Sequence, residues 1–212
     1  MTSVSVALRA AFAVACALAL GGCISLLPKS DPVQLYRFEG VTAEAAAPSI
    51  AAAPQVAIFK APSNFLRSAS GDRILTIAGG HAAYVADARW VSPAAVLFDE
   101  ALMRAFDRGG GAVRLVSRGE PARTQYSIRL DVRDFHALYD QGQKAAPEVV
   151  VTVRASLIRG ADQSLAGQRI LEARVRAGDN RVGAIVAAFD SAVGQVLADL
   201  VAWTTATAAP TA

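Results

Sequence analysis

Few residues in this chain can do chemistry, and the thiol of Cys23 is the best placed of them. It closes the run Leu20-Gly21-Gly22-Cys23, in which a large aliphatic residue and two small ones precede the sulfur. Small residues at 21 and 22 leave the backbone accessible to a peptidase, and the thiol can accept a lipid. The other candidates are weaker. His81, in a Gly-Gly-His turn, and His136, after a long strand, are the only imidazoles, and each reads as an ordinary turn or surface residue. Asp131 and Asp134 could be paired as acid and base, but Arg129 and Arg133 beside them favour a salt-bridged surface. The chain has no G-x-S-x-G elbow, no H-E-x-x-H and no Walker A sequence. Gly109-Gly110-Gly111 lacks a following Lys-Ser/Thr and reads as a helix stop. No catalytic residue, metal site or cofactor is expected, and a lipid hydrolase using His81 or His136 is disfavoured. These residues point to binding or scaffolding.

The segment ahead of Cys23 sets what its thiol is for. Arg9 precedes eleven apolar residues, Ala10 to Leu20. That is too short for a spanning helix, which takes about 20 residues, but it suits the h-region of an export signal. The whole arrangement resembles the lipobox of bacterial lipoproteins. It implies a signal peptide over 1–22, a lipid on Cys23, and a membrane-tethered mature chain. Cys16 leaves with the signal, so the mature chain holds no other thiol, and disulfides, cysteine metal sites and cysteine nucleophiles are excluded. Formal charge is +3, with no clustered basic face for nucleic acid. Alanine, at 46 residues, inflates the mean hydropathy, and no second stretch of spanning length is expected. Residues 23–32 read as a tether, 33–203 as one domain and 204–212 as a disordered tail.

Within that domain, Val33 to Glu39 alternates as a first strand, and Val41 to Ala53 reads as a loop. Short strands are expected at Gln55–Lys60, Arg73–Ala78 and Ala112–Ser117, with His81–Trp90 as a hairpin partner of the second. Ser92 as cap and Pro93 at the first helical position open a helix. Its stripe is Ala94, Phe98, Ala101, Leu102, Ala105 and Phe106. Tyr126–Val132, Glu148–Leu157 and Leu165–Arg176 alternate with period two, as half-buried antiparallel strands do. A second helix, capped by Asp179 or Asn180, carries Val182, Ile185, Val186, Phe189, Val193, Val196, Leu197, Leu200 and Val201 on one face. The expected fold is α+β, a two-layer sandwich with a mainly antiparallel sheet and both helices on one face.

Five short motifs then fall in order. They are the lipobox with Leu26-Leu27-Pro28; Leu35-Tyr36-Arg37-Phe38; Tyr84 with Ala88-Arg89-Trp90 and Pro93; Tyr126 through Asp134-Phe135 and Tyr139; and Ala188-Phe189-Asp190 with Ala192 and Trp203. The pattern is similar to the ABC-type transport auxiliary lipoprotein family, the small lipoprotein of paraquat-inducible, MCE-type systems. The resemblance implies a non-catalytic subunit whose partners are an MCE-domain protein and ABC transporter subunits, moving lipids or other hydrophobic molecules between two membranes. Ile24 after the Cys suggests an outer-membrane lipid anchor facing the periplasm. A scaffolding or pilotin-like lipoprotein is the alternative, and a homo-oligomer is left open. Tyr84 and Trp90, flanking the hairpin that leads into the first helix, and Phe135 and Tyr139, at the end of the longest strand, either fill the core at strand ends or are the candidate partner contacts, since aromatics are enriched at interface cores.

Overall fold

One strand organises the sheet. In the computed structural model, which describes residues 32–40, 56–109 and 113–208, the strands are β1 (Gln34–Tyr36), β2 (Val56–Lys60), β3 (Asn64–Phe65), β4 (Arg73–Ala78), β5 (His81–Trp90), β6 (Val113–Val116), β7 (Tyr126–Leu138), β8 (Glu148–Arg159) and β9 (Leu165–Arg176). The helices are α1 (Ala94–Arg108) and α2 (Val182–Ala208). β8 runs antiparallel along the whole of β7, and β9 runs antiparallel along β8. Along its other side β7 meets three short parallel strands in turn: β2 at Tyr126, β3 at Asp131 and β4 at Ala137. β6 continues the sheet beyond β2, and β5 then β1 continue it beyond β4. The nine-stranded sheet is open and mixed, with its long ladders antiparallel. The α+β sandwich expected from the pattern is the fold. The short parallel pairings are additional, because periodicity reports which face is buried and not which way a neighbour runs.

β7 is six residues longer than its alternation suggests. Its register against β8 shifts between Val132 and Asp134, so Arg133 is an extra residue, a bulge that changes the phase of the strand. Before it, Ile128, Leu130 and Val132 face the core; after it, Phe135 and Ala137 do. Strict period two would have sent Asp134 and His136 inward, and so the pattern seemed to stop. His136 therefore does not follow a strand. It lies within β7, opposite Val150.

The core sits between the sheet and the helices. Val149, Val151, Val153, Ala155 and Leu157 of β8 are fully buried, and α2 packs across β8 and β9 with Phe189, Val193 and Leu197 equally inaccessible. Gln195 and Asp199 face outward as their spacing predicts. By length and hydropathy α2 would suit a membrane span, contrary to the expectation that no second such stretch exists. Its stripe is instead spent on the sheet. The helix also runs on to Ala208, where a disordered tail was expected from Thr204. Thr204 and Ala208 continue the stripe at four-residue steps from Leu200 and are buried. Gly167 of β9 permits this approach, since a Cβ there would lie 3.0 Å from Thr207.

Helix starts differ in detail. Pro93, not Ser92, occupies the N-cap position of α1, and no side chain caps it. The Ala94 N–H donates to the Gly71 carbonyl at 2.9 Å and the Ala95 N–H to that of Ser70 at 3.3 Å. Backbone carbonyls thus satisfy donors that a Ser side chain otherwise would. Before α2, the side chain of Asn180 is engaged by Tyr139 and by the Gln143 carbonyl. Cys23, its leader, the tether and the Ala-rich 41–53 stretch lie outside the described residues.

Candidate functional site

The four candidate contact aromatics divide into two pairs. Trp90 and Phe135 are 2% and 1% exposed, and both are core residues. The edge-to-face Trp90–Phe38 pair has ring centroids 5.1 Å apart, Trp90–Phe189 5.3 Å and Phe135–Phe189 4.9 Å. Such contacts add to burial and leave nothing for another protein to touch. The bulge at Arg133 is what turns Phe135 inward.

Tyr84 and Tyr139, by contrast, line one shallow groove of about 310 Å³ together with Thr76, His81 and Gln143. The Tyr84 ring is 38% exposed. The Arg73 guanidinium lies 4.4 Å from its centroid, and its hydroxyl donates to the Ser68 carbonyl at 3.0 Å. Tyr139 follows β7; its N–H donates to the Ile77 carbonyl and its hydroxyl to Asn180 Oδ1 at 2.8 Å. Partial burial raises the Tyr139 phenol above its ordinary value, so it stays a neutral hydrogen-bonding group. The groove can stack and hydrogen-bond. His81 at its rim is exposed.

His136 stands on the opposite face of the sheet from the helices, half-buried, and burial lowers its pKa below the ordinary value, opposed by Asp134 and reinforced by Arg174. Asp131 accepts from Arg154 Nη2 at 2.9 Å and lies 3.3 Å from Arg133 Nε. Asp131 is thus tied into ion pairs of the surface, with Arg133 as its sequence neighbours suggest and with Arg154 of β8 in place of Arg129. Among the described residues no group of three or more His, Cys, Asp or Glu could hold a metal ion.

Two connections escaped the sequence. Asp190 Oδ1 accepts the backbone N–H of Glu39 at 2.6 Å and of Gly40 at 2.7 Å. Lys60 Nζ and Ser63 Oγ both reach Asp99, at 2.7 and 2.8 Å, fastening the end of β2 to α1. The only signal for the first was an acid directly beside the apolar stripe of α2.

The family model of the ABC-type transport auxiliary lipoprotein component matches residues 36–201. The chain belongs to this family. No curated protein matches it. A crystal structure of a Xanthomonas campestris protein of family DUF330 is 25% identical, covers 82% of this chain and 96% of its own, and superposes with a TM-score of 0.66. The hypothetical protein CT253 from Chlamydia trachomatis, 15% identical over 74% of this chain and 99% of its own, shares the fold at a TM-score of 0.50.

In this auxiliary lipoprotein the motifs that carry the resemblance converge. Phe38, Trp90, Phe135 and Phe189 each come from a different motif and meet in the aromatic cluster. They mark the core of the fold, and the surface that does its work must be sought elsewhere.

Proposed function

We propose that this protein is an outer-membrane-anchored periplasmic lipoprotein, held by a lipid on Cys23. We propose further that it serves as a non-catalytic auxiliary subunit of an MCE-type ABC transport system moving lipids or other hydrophobic molecules between membranes. The observation that carries this reading is the family match over residues 36–201, preceded in the sequence by Leu20-Gly21-Gly22-Cys23. Ile24 after the Cys supports the outer-membrane address, and the Tyr84–Tyr139 groove is the candidate contact for the MCE-domain protein. The role asks for contact, not turnover.

The test is detergent purification of the full chain from its own envelope. An MCE-domain protein and transporter subunits should come with it, and replacing Cys23 with Ala should release the chain from the membrane fraction. Tyr84→Ala should weaken the association while leaving the melting temperature nearly unchanged, since the half-exposed side chain makes only an exposed hydrogen bond to Ser68 and a surface contact with Arg73. Co-purification with secretin or pilus components instead would favour the pilotin-like alternative. Loss of function in a stable His81→Ala/His136→Ala variant would revive an enzyme.

A further inference from the structure

Among the described residues eight large hydrophobic side chains are exposed, and four of them, Val33, Leu35, Val91 and Val96, lie on or beside β1, the end of β5 and the start of α1. β1 pairs in parallel with β5, Leu35 opposite Arg89 and Tyr36 opposite Trp90. Tyr36 and Trp90 pack on the core. Alternation along a strand therefore sends Leu35 and Arg89 to the other face, with Val33 two residues before and Val91 two residues after. The Val91 N–H donates to the Tyr36 carbonyl at 2.7 Å, which holds Val91 beside β1. Arg37, just beyond the end of β1, pairs with Glu100 of α1 at 3.4 Å. Glu100 lies one helical turn from Val96, so α1 brings Val96 to the border of the patch. Leu35 is 63% exposed and Val91 52%, with Arg37 and Arg89 at the margin, each held by an acid.

We propose that this patch beds on the phospholipid surface that carries the lipid anchor, orienting the domain upon it. The inference rests on the lipid attachment at Cys23 proposed above. Nine residues lie between Cys23 and Val33, and the ten residue steps from one to the other reach at most about 36 Å when extended. The face beside Val33 is thus kept near the bilayer whatever path the tether takes. Confinement at that range gives a high effective concentration, so a contact of a few aliphatic side chains suffices where it would fail for a free domain. A surface next to the anchor that is apolar at its centre and carries ion-paired charges at its margin fits a lipid–water boundary.

The absence of other thiols in the mature chain supplies the test. Leu35→Cys and Gln195→Cys variants of the full lipidated chain are labelled with bimane and reconstituted into vesicles of phosphatidylethanolamine and phosphatidylglycerol. The mass of the N-terminal peptide shows whether Cys23 carries its lipid, and a thermal melt shows that each variant is folded. The label at Leu35 should shift to the blue and be quenched several-fold more by nitroxide-bearing lipid than the label at Gln195, on the outward face of α2. A lipidated Cys23 with a Leu35 label that stays in water overturns the inference alone. Shielding of that label only on addition of the MCE-domain protein overturns it too, and assigns the patch to a protein. An unlipidated Cys23 overturns both this inference and the reading beneath it.

Discussion

Asp190 Oδ1 accepts the backbone N–H of Gly40 at 2.7 Å, joining residues 150 positions apart in the chain. Gly40 adopts φ +65°, and a Cβ there would lie 3.0 Å from Val193 and 3.2 Å from Leu197. Only glycine meets both demands. The same carboxylate takes the neighbouring Glu39 N–H. One acid on α2 thereby closes the first segment of the domain over the helix, just after Phe38 has entered the aromatic cluster.

Replacing Asp190 with Ala strands the Gly40 N–H in a buried position, and an unsatisfied buried donor costs about 1–3 kcal/mol. The midpoint of urea unfolding should fall accordingly. Asp190→Asn keeps an acceptor and should lose less; equal losses would mean that the carbonyl geometry is not what matters.

Phe189 is fully buried and touches both Trp90 and Phe135. Truncating it to Ala should cost about 3–5 kcal/mol. Gln195→Ala, on the exposed face of the same helix, should stay within about 0.5 kcal/mol. Comparable melting temperatures for the two variants would contradict the docking of α2 on the sheet.

Thr204 is fully inaccessible, and among the described residues its hydroxyl finds no hydrogen-bond partner. Valine has nearly the same shape and no polar atom to desolvate. Thr204→Val should therefore stabilise the domain by about 1 kcal/mol, read as a rise in melting temperature. A fall would place an acceptor near that hydroxyl.

His136 titrates below its ordinary value of 6.5 because burial disfavours the imidazolium. The unfolded chain then binds the proton more readily than the folded one. Stability attributable to this residue is present above 6.5 and declines as pH falls from there toward the lowered folded value, below which the penalty is constant. Unfolding midpoints measured on either side of 6.5 should show this slope in the parent and lose it in His136→Gln. An unchanged slope would assign the effect to other groups.

Much of the fold could be read from the chain, since strands with one buried face and helices with one apolar stripe announce themselves. β4 and β5 fall at their expected bounds. What stayed hidden depended on single residues that break a period. Arg133 adds one residue to β7 and thereby reverses which side chains are inside, so Phe135, open to a core or a contact reading in the sequence, is a core residue. Trp90, open to the same two readings, is a core residue because Phe38 and Phe189 close over it from distant parts of the chain. β3 is two residues long and has no period to show. Thr204 belonged to the stripe of α2, but a run of Thr and Ala lacks the bulk that marks a buried face. The clamp at Asp190 was invisible because its partners are backbone groups, which have no sequence signature at all. Of the candidate contacts, the two tyrosines share a groove and the two others share a core.

The three residues of β1 and the Gly40–Asp190 clamp also determine how the domain would bear force. Any pull arriving along a tether from Cys23 enters at Val33, runs along the axis of β1, and loads its bonds to β5 together, in shear. If those few bonds part, the next obstacles are the ring of Phe38, seated against Trp90 and Phe135, and the two hydrogen bonds to Asp190 of the 27-residue helix. With the lipid on Cys23 proposed above, β1 would part before the long ladders of the sheet, and Asp190 would be the stop behind it.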